Sequence, residues 1–280
     1  KAEVYGTLSE ILGFNELPSL ELWRASVGEF VGSAVLTFML DTVTIATTET
    51  IDEMQPLILS ALIGLTLTIL FLAVAPISGG FVNPMISLSA ALVGLISFSR
   101  AAVYIAAECL GAILGVAALK SVISYQYQEA FSLCGCSVAI GGGMREAAVE
   151  KAFLTEFFSC FAVLFLCVWM AFDFKQIGHY GRVKVFSIIG IVVALVVFVS
   201  ISVTNQKGYT GAGMNPAKCF ASAVVKGGHL WDGHWVFWVG PTLASVVFYL
   251  YTKIIPRHHF QAKPYDHDFS NVVELLYRAR

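Results

Sequence analysis

The chain carries two copies of one short pattern, SGGFVNP at residues 78–84 and TGAGMNP at residues 210–216. Both copies end in Asn-Pro. Asparagine is a strong N-cap, and proline is favoured at the first position of a helix. A short apolar segment follows each copy, over residues 85–95 and residues 217–226. Ten helical residues rise about 15 Å, half the thickness of a hydrocarbon core. The pattern therefore predicts two half-helices that stop near the middle of a membrane.

The composition of the whole chain is that of an integral membrane protein. Of its 280 residues, 57% are hydrophobic and only 13% are charged, whereas a soluble domain has about 25% charged residues. With a net charge of −2 the chain does not attract a polyanion, so we expect no nucleic-acid partner. From the composition we expect a lipid bilayer as the surroundings. Charge-poor stretches predict six spanning helices, over residues 24–46, 57–75, 101–123, 151–172, 185–205 and 234–254.

The six predicted spans form two repeats of three. Glu29 opens the first span and Glu156 opens the fourth, and an Asn-Pro pattern follows the second span of each repeat. An odd number of spans inverts the second repeat, and inverted repeats with broken helices are typical of proteins that form a substrate path. We expect a terminal segment at 1–22, a channel domain at 23–255 and a tail at 256–280, the channel being divided into repeats at 23–125 and 150–255.

The distribution of basic residues predicts the orientation of the chain. An even number of spans puts both termini on one side, and that side collects most of the lysines and arginines. The first loop on the other side, predicted at residues 41–55, has four acids and no base. Because basic loops remain in the cytoplasm, both termini are expected to be cytoplasmic.

The chain resembles the aquaporin, or major intrinsic protein, family over about residues 22–255. The resemblance is carried by the doubled Asn-Pro pattern, by the paired acids Glu29 and Glu156, and by the segment HWVFWVGP at residues 234–241. Cys219 after the second Asn-Pro-Ala and the cluster LCGC at residues 133–136 resemble the plant X intrinsic protein subfamily. The resemblance implies an all-α fold with six spans and two re-entrant half-helices. It also implies a homotetramer in the plasma membrane, with no cofactor, no metal and no enzymatic activity.

The resemblance assigns pore roles by position. At the pore midplane it places Asn83, Pro84, Met85, Asn215, Pro216 and Ala217, and in the selectivity filter Ile63, Val203, Ala212 and Lys218. Each asparagine is expected to cap its own half-helix and to aim an amide N–H at the pore. Glu29 and Glu156 are expected to brace the loops before the half-helices, since acids within a membrane are costly and rare. Met85 stands where the family has alanine, which is expected to narrow or re-aim the contact between the half-helices.

The filter departs from that of strict water channels. Its aromatic and imidazole positions are aliphatic here, and Lys218 replaces the usual arginine, so the cation is kept while the planar donor fork is lost. This filter predicts a passive channel for glycerol, hydrogen peroxide, urea or boric acid, with some water, that excludes ions and protons. The alternative is a structural or adhesion protein with a closed pore. A secondary transporter is disfavoured, because the pattern lacks a coupling-ion site.

Three cysteines have more than one interpretation. Cys134 and Cys136 face the oxidising side, where they could form a disulfide, pair between subunits or bind a metal. They are too close in sequence for a comfortable bridge to each other. Cys219 is a further candidate disulfide or thiol site, which either lies at the rim of the filter or packs as a small apolar residue, and the second interpretation is slightly favoured.

Three polar residues near predicted loops are candidates for gating. His179 lies in a basic loop, where it is either a pH-sensitive gate or an ordinary solvated side chain, and the ordinary interpretation is favoured. Ser97 and Ser99 lie beside Arg100 and are candidate phosphorylation sites, although two loop serines are a weak signal.

Overall fold

The computed structural model of the chain describes residue 9 and residues 12–50, 54–138, 146–204, 211–254 and 268–278. These residues form helices and loops, and no strand occurs among them. The helices are α1 (Leu20–Thr50), α2 (Gln55–Ser78), α3 (Pro84–Val93), α4 (Phe98–Val122), α5 (Tyr125–Ala130), α6 (Glu146–Val163), α7 (Trp169–Phe172), α8 (Phe174–Tyr180), α9 (Arg182–Thr204), α10 (Pro216–Lys226), α11 (Val236–Ile254) and α12 (Phe269–Arg278). Short 3₁₀ turns lie at Phe14–Glu16, Ser132–Cys134 and Gly228–Trp231.

Six spans are present, as the sequence predicts. The helices α1, α2, α4, α9 and α11 are long and apolar enough to cross a membrane, by length and composition. The remaining predicted span consists of α6 and α7, joined by a π-helical segment at Leu164–Val168. A π-helical turn adds a residue without ending the helix, so this span continues from Glu146 to Phe172.

One predicted boundary is wrong. The acidic stretch at 41–55 was expected to be a loop, but α1 continues through Thr50 and includes Asp41. The side chain of Asp41 is fully buried, because it finds a cationic partner inside the protein. A charged residue therefore does not end the helix here.

The half-helices α3 and α10 join the two repeats. Among the long helices, α3 packs most extensively on α11, and α10 packs most extensively on α4. Each half-helix therefore packs on the third span of the other repeat. Both carry Asn-Pro at their N-termini, and α3 ends at Gly94 in the left-handed conformation. The predicted architecture of six spans with two half-helices is therefore confirmed.

Close approach between spans depends on glycines in α4. A Cβ atom added at Gly111 would collide with the carbonyl oxygen of Phe30 in α1, and one at Gly115 with that of Ala34. The two glycines lie four residues apart, so they share one face of α4. Helix pairs within membranes associate through small residues in this way, because close packing replaces the hydrophobic effect.

We expect Gly111→Ala to lower the thermal midpoint of the protein in detergent. The added methyl group must displace the backbone of α1, and overpacking of this kind costs about 1–3 kcal/mol. Gly178→Ala in α8 is the matched control, because a Cβ atom there meets nothing within 4 Å. Equal midpoints for the two variants would contradict the proposed α1–α4 contact.

A disulfide joins the segment after α5 (residues 131–138), which we name the distal loop, to the second half-helix α10. Cys136 is bonded to Cys219, with a Cα–Cα distance of 5.0 Å and 83 residues between them in sequence. Cys219 is buried among apolar residues such as Val236 and Phe237, but its sulfur is bonded to Cys136, which the interpretation as a small apolar residue did not include. A Cys136 sulfur that is bonded to Cys219 is not available for pairing between subunits or for binding a metal. Cys134 remains a free thiol.

The disulfide predicts a stability that depends on redox conditions. Cys136→Ser and Cys219→Ser should each lower the thermal midpoint, because a bridge of this kind typically contributes about 2–4 kcal/mol. Cys109→Ser is the control, since Cys109 is a free, partly buried cysteine. A reductant should lower the midpoint of the native protein and of the control, but not that of the two bridge variants. If the reductant left the thermal midpoint of the native protein unchanged, the result would contradict the disulfide.

Candidate functional site

A cavity of about 840 Å³ runs through the centre of the described residues. At one end it is lined by Glu16, Arg100 and Arg182, close to where both described termini lie, and we name this the terminal end. At the other end, the distal end, it is lined by Cys134 and Lys218. The wall between the two ends is mostly aliphatic and aromatic. A polar solute inside would therefore meet few hydrogen-bonding groups.

Asn83 and Asn215 line the middle of this cavity and cap the two half-helices. The Oδ1 atom of Asn83 accepts from the N–H of Met85 at 3.0 Å. The Oδ1 atom of Asn215 accepts from the N–H groups of Ala217 at 3.0 Å and Lys218 at 3.3 Å. Both caps form because Asn-Pro places the cap residue in an extended conformation before a preset first turn.

Each asparagine also binds the loop of the other repeat. The Nδ2 atom of Asn83 donates to the carbonyl oxygen of Met214 at 2.8 Å. The Nδ2 atom of Asn215 donates to the carbonyl oxygen of Val82 at 3.0 Å. A carboxamide has two N–H groups, so each asparagine keeps a second donor for a molecule in the cavity.

The residue before each asparagine has a left-handed backbone. Val82 has a φ of 43° and Met214 a φ of 51°. Residues other than glycine rarely adopt this backbone conformation, and holding a residue in it costs about 1–3 kcal/mol of folding free energy. The left-handed turn directs the carbonyl oxygen of each residue to the opposite asparagine. The strain is thus located where the two repeats meet.

Buried glutamates hold both strained loops. The carboxylate of Glu29 accepts from the N–H of Phe81 at 3.1 Å and from that of Val82 at 2.6 Å. The carboxylate of Glu156 accepts from the N–H of Gly213 at 2.6 Å and from that of Met214 at 3.0 Å. These contacts are the ones that a bracing role requires, and they pair backbone N–H groups of loops that are not helical.

A third buried acid supports the first half-helix. Glu108 in α4 is fully buried and accepts from the hydroxyl of Ser87 at 2.7 Å. Since Ser87 belongs to α3, this bond ties the half-helix to the third span of its own repeat.

The midplane positions after the two asparagines differ between the repeats. Met85 is buried and lines the cavity, while its carbonyl oxygen accepts from the Ser245 hydroxyl at 3.3 Å. Ala217 packs in a separate buried cluster with Ala112 and Val116 of α4. Pro84 and Pro216 are buried at the first positions of their helices. The longer Met85 leaves the Asn83 cap intact, since the cap uses only its backbone N–H.

Three of the four predicted filter residues line the cavity: Ile63, Ala212 and Lys218. The N–H of Ala212 donates to the hydroxyl of Ser200 at 3.2 Å, which fixes the loop beside α9. The backbone of Val203 belongs to α9, and its side chain lies outside the described residues. This part of the wall therefore contains two aliphatic side chains and one cation.

The ammonium group of Lys218 is held from two sides. Its Nζ atom lies 2.9 Å from Oδ1 of Asp41 and donates to the carbonyl oxygen of Cys134 at 3.0 Å. Two of the three ammonium N–H groups are thus engaged, which leaves one for the cavity. Sequence reasoning missed Asp41 as a partner of the filter. The available signal was a lone acid in a span that is otherwise apolar over several turns.

The free thiol of Cys134 lies behind this lysine. Its Sγ atom donates to the carbonyl oxygen of Asp41 at 3.4 Å. Burial, with a smaller contribution from the charge of Asp41, raises the pKa of Cys134 to about 12. The thiol therefore stays protonated and unreactive at neutral pH, because the thiolate is the nucleophilic form.

The candidate gating residues lie at the terminal end. His179 is exposed, does not line the cavity and contacts the ring of Tyr180 at a centroid distance of 4.8 Å. Ser97 is buried and caps α4 by accepting from the N–H of Arg100 at 3.2 Å. Ser99 is buried as well. Both serine hydroxyls are out of reach of a kinase in this conformation, which disagrees with their use as phosphorylation sites.

Comparison with known proteins assigns the family. A family model described as "Major intrinsic protein" matches residues 16–251. Aquaporin PIP2-7 of Musa acuminata is 32% identical over 259 residues, which cover 88% of this chain and 86% of the relative. The lens fiber major intrinsic protein of Gallus gallus is 33% identical over 236 residues, covering 83% of this chain and 81% of the relative.

Similarity of fold extends to a solved structure. The X-ray structure of the aquaglyceroporin from Plasmodium falciparum matches with a TM-score of 0.67 and 21% identity. The match covers 84% of this chain and 96% of that chain, and at this identity it shows the fold alone. With six spans, two capped half-helices and a matching family model, the chain belongs to the major intrinsic protein family, whose members are membrane channels.

Proposed function

We propose that the protein is a passive channel for small uncharged solutes. Glycerol and hydrogen peroxide are the first candidates, urea and boric acid are further ones, and water passes to some extent. One observation carries the proposal: two asparagine amides meet in the middle of a cavity whose lining residues extend from the terminal end to the distal end.

The same centre supports the exclusion of ions and protons. The N-termini of α3 and α10 converge there, and each helix N-terminus carries about half a positive charge. Cations therefore meet a barrier, whereas neutral solutes accept hydrogen bonds from the free amide N–H groups. Among the described residues, Glu16 is the one carboxylate that lines the cavity, so this part of the chain offers no set of carboxylates on which a transporter would bind a coupling ion.

The filter residues favour solutes with an apolar side. Ile63 and Ala212 supply no hydrogen bonds, and Lys218 supplies a single free N–H. Hydrated molecules would lose more hydrogen bonds than such a wall returns, so water should pass slowly for the width of the opening. Glycerol, unlike water, also has CH groups that can pack against the apolar side chains of this wall, which offsets part of its lost hydration.

The subfamily, the assembly and the location are also proposals. The cysteine pattern at residues 133–136 and 219 supports the X intrinsic protein subfamily, and plant relatives of the PIP type support a plasma-membrane location. Both termini are proposed to be cytoplasmic. Apolar side chains exposed along α1 and α9 support contact with lipid or with other subunits of a homotetramer: Val27, Val31, Val35, Ile191, Leu195 and Val199.

Swelling of proteoliposomes in glycerol and uptake of hydrogen peroxide test this function. A channel predicts flux that rises linearly with the solute gradient and does not depend on ions. Ion-dependent uptake would point to a transporter, and the absence of all flux would favour a structural protein with a closed pore.

We expect Ile63→Phe to reduce glycerol flux more strongly than water flux. The ring fills the apolar wall of the cavity, and glycerol is the wider solute. Ile69→Phe is the matched control, because Ile69 belongs to the same helix but is exposed on its outer face. Glycerol and water fluxes that fall equally in Ile63→Phe, or do not fall at all, would remove Ile63 from the filter.

A further inference from the structure

The ion pair between Asp41 and Lys218 differs from every other ion pair of the described residues in its burial. The side chain of Asp41 is 0% exposed and that of Lys218 is 16% exposed. Lys226 on the same half-helix also has an acidic partner, Glu129, but that glutamate is 53% exposed. Water therefore screens the second pair more strongly than the first.

Within the described part of the chain, the carboxylate of Asp41 has one charged partner, the ammonium of Lys218. Neither carboxylate oxygen has another hydrogen-bond donor among the described residues, so the carboxylate pairs with the ammonium of Lys218. Asp41 itself does not line the cavity, while Lys218 does. The carboxylate thus lies behind the lysine, on the side away from the solute path, where it compensates the ammonium charge.

The surroundings hold this pair in place. The backbone N–H of Lys218 donates to the Asn215 cap, and the next residue, Cys219, is bonded to Cys136. The Cys134 thiol donates to the carbonyl oxygen of Asp41, and the Cys134 carbonyl accepts from Lys218. The ammonium is therefore fixed between α1 and the distal loop and is not free to extend into the cavity.

We propose that Asp41 is a specificity-determining residue that makes the filter electrically neutral. This inference rests on the proposed channel function. Without Asp41, the ammonium of Lys218 would repel cations and attract anions. Paired with Asp41 it does neither, so cation exclusion depends on the half-helix N-termini at the centre and not on Lys218. The pair then contributes a single N–H donor to the filter and no net charge.

The proposal predicts an asymmetry between two single variants. Lys218→Met removes the cation paired with a fully buried carboxylate. The carboxylate then holds a proton at neutral pH and loses it at alkaline pH, so we expect the potassium leak to rise about tenfold or more only at alkaline pH. Asp41→Asn leaves an unpaired ammonium, and we expect no rise in the potassium leak. A purely structural pair would affect both variants in the same way.

The double variant Asp41→Asn/Lys218→Met is the decisive arm. Removal of both partners leaves no uncompensated charge, so the protein is expected to fold. Its potassium leak should equal that of the native protein, although the filter cation is gone. Lys226→Met is the matched control on the same half-helix, and it should not change the leak.

Measurements use the full chain in proteoliposomes, with a voltage-sensitive dye for potassium leak and swelling for glycerol. A potassium leak in the double variant equal to that of the native protein supports the inference, even where a single variant fails to fold. A double variant that leaks potassium, or that does not fold, would overturn it. Absence of glycerol flux in the native protein would instead contradict the proposed channel function, so the two failures are distinguishable.

Discussion

The fold depends on one constraint: backbone polar groups at the middle of a membrane must find partners within the protein. Two loops reach that depth, before Asn83 and before Asn215, and neither is helical. Glu29 and Glu156 each accept two backbone hydrogen bonds from these loops. Without such acceptors each unpaired N–H would cost about 1–3 kcal/mol. The two half-helices therefore depend on Glu29 and Glu156 as hydrogen-bond acceptors for the loops that precede them.

The pore follows from how the two loops are joined. Because each asparagine donates to the loop of the other repeat, the two half-helices meet with their N-termini together. The distal end is fixed by different contacts, namely the bridge between Cys136 and Cys219 and the pair of Asp41 with Lys218. In the proposed channel, the centre sets which charges are excluded, while the distal end sets which neutral solutes enter.

Local patterns in the sequence predicted the parts of this structure that depend on local chemistry. Hydropathy gave six spans, and Asn-Pro gave the two caps, since capping involves residues within one turn. The partnership of Cys136 and Cys219 depends on tertiary packing across 83 residues, so spacing left it open. The predictions for Asp41 overlapped, since both the span at 24–46 and the loop at 41–55 contain it, and its burial within α1 depends on the distant partner Lys218.

The central claim is that the glutamates hold the loops that form the pore. Glu156→Gln tests it most directly, because a carboxamide has one acceptor oxygen for two backbone N–H groups. Thermal midpoint and glycerol flux per folded protein are compared with those of Glu150→Gln, which changes an exposed acid in the same helix. The account predicts that both quantities fall for Glu156→Gln alone. Values equal to those of Glu150→Gln would contradict it.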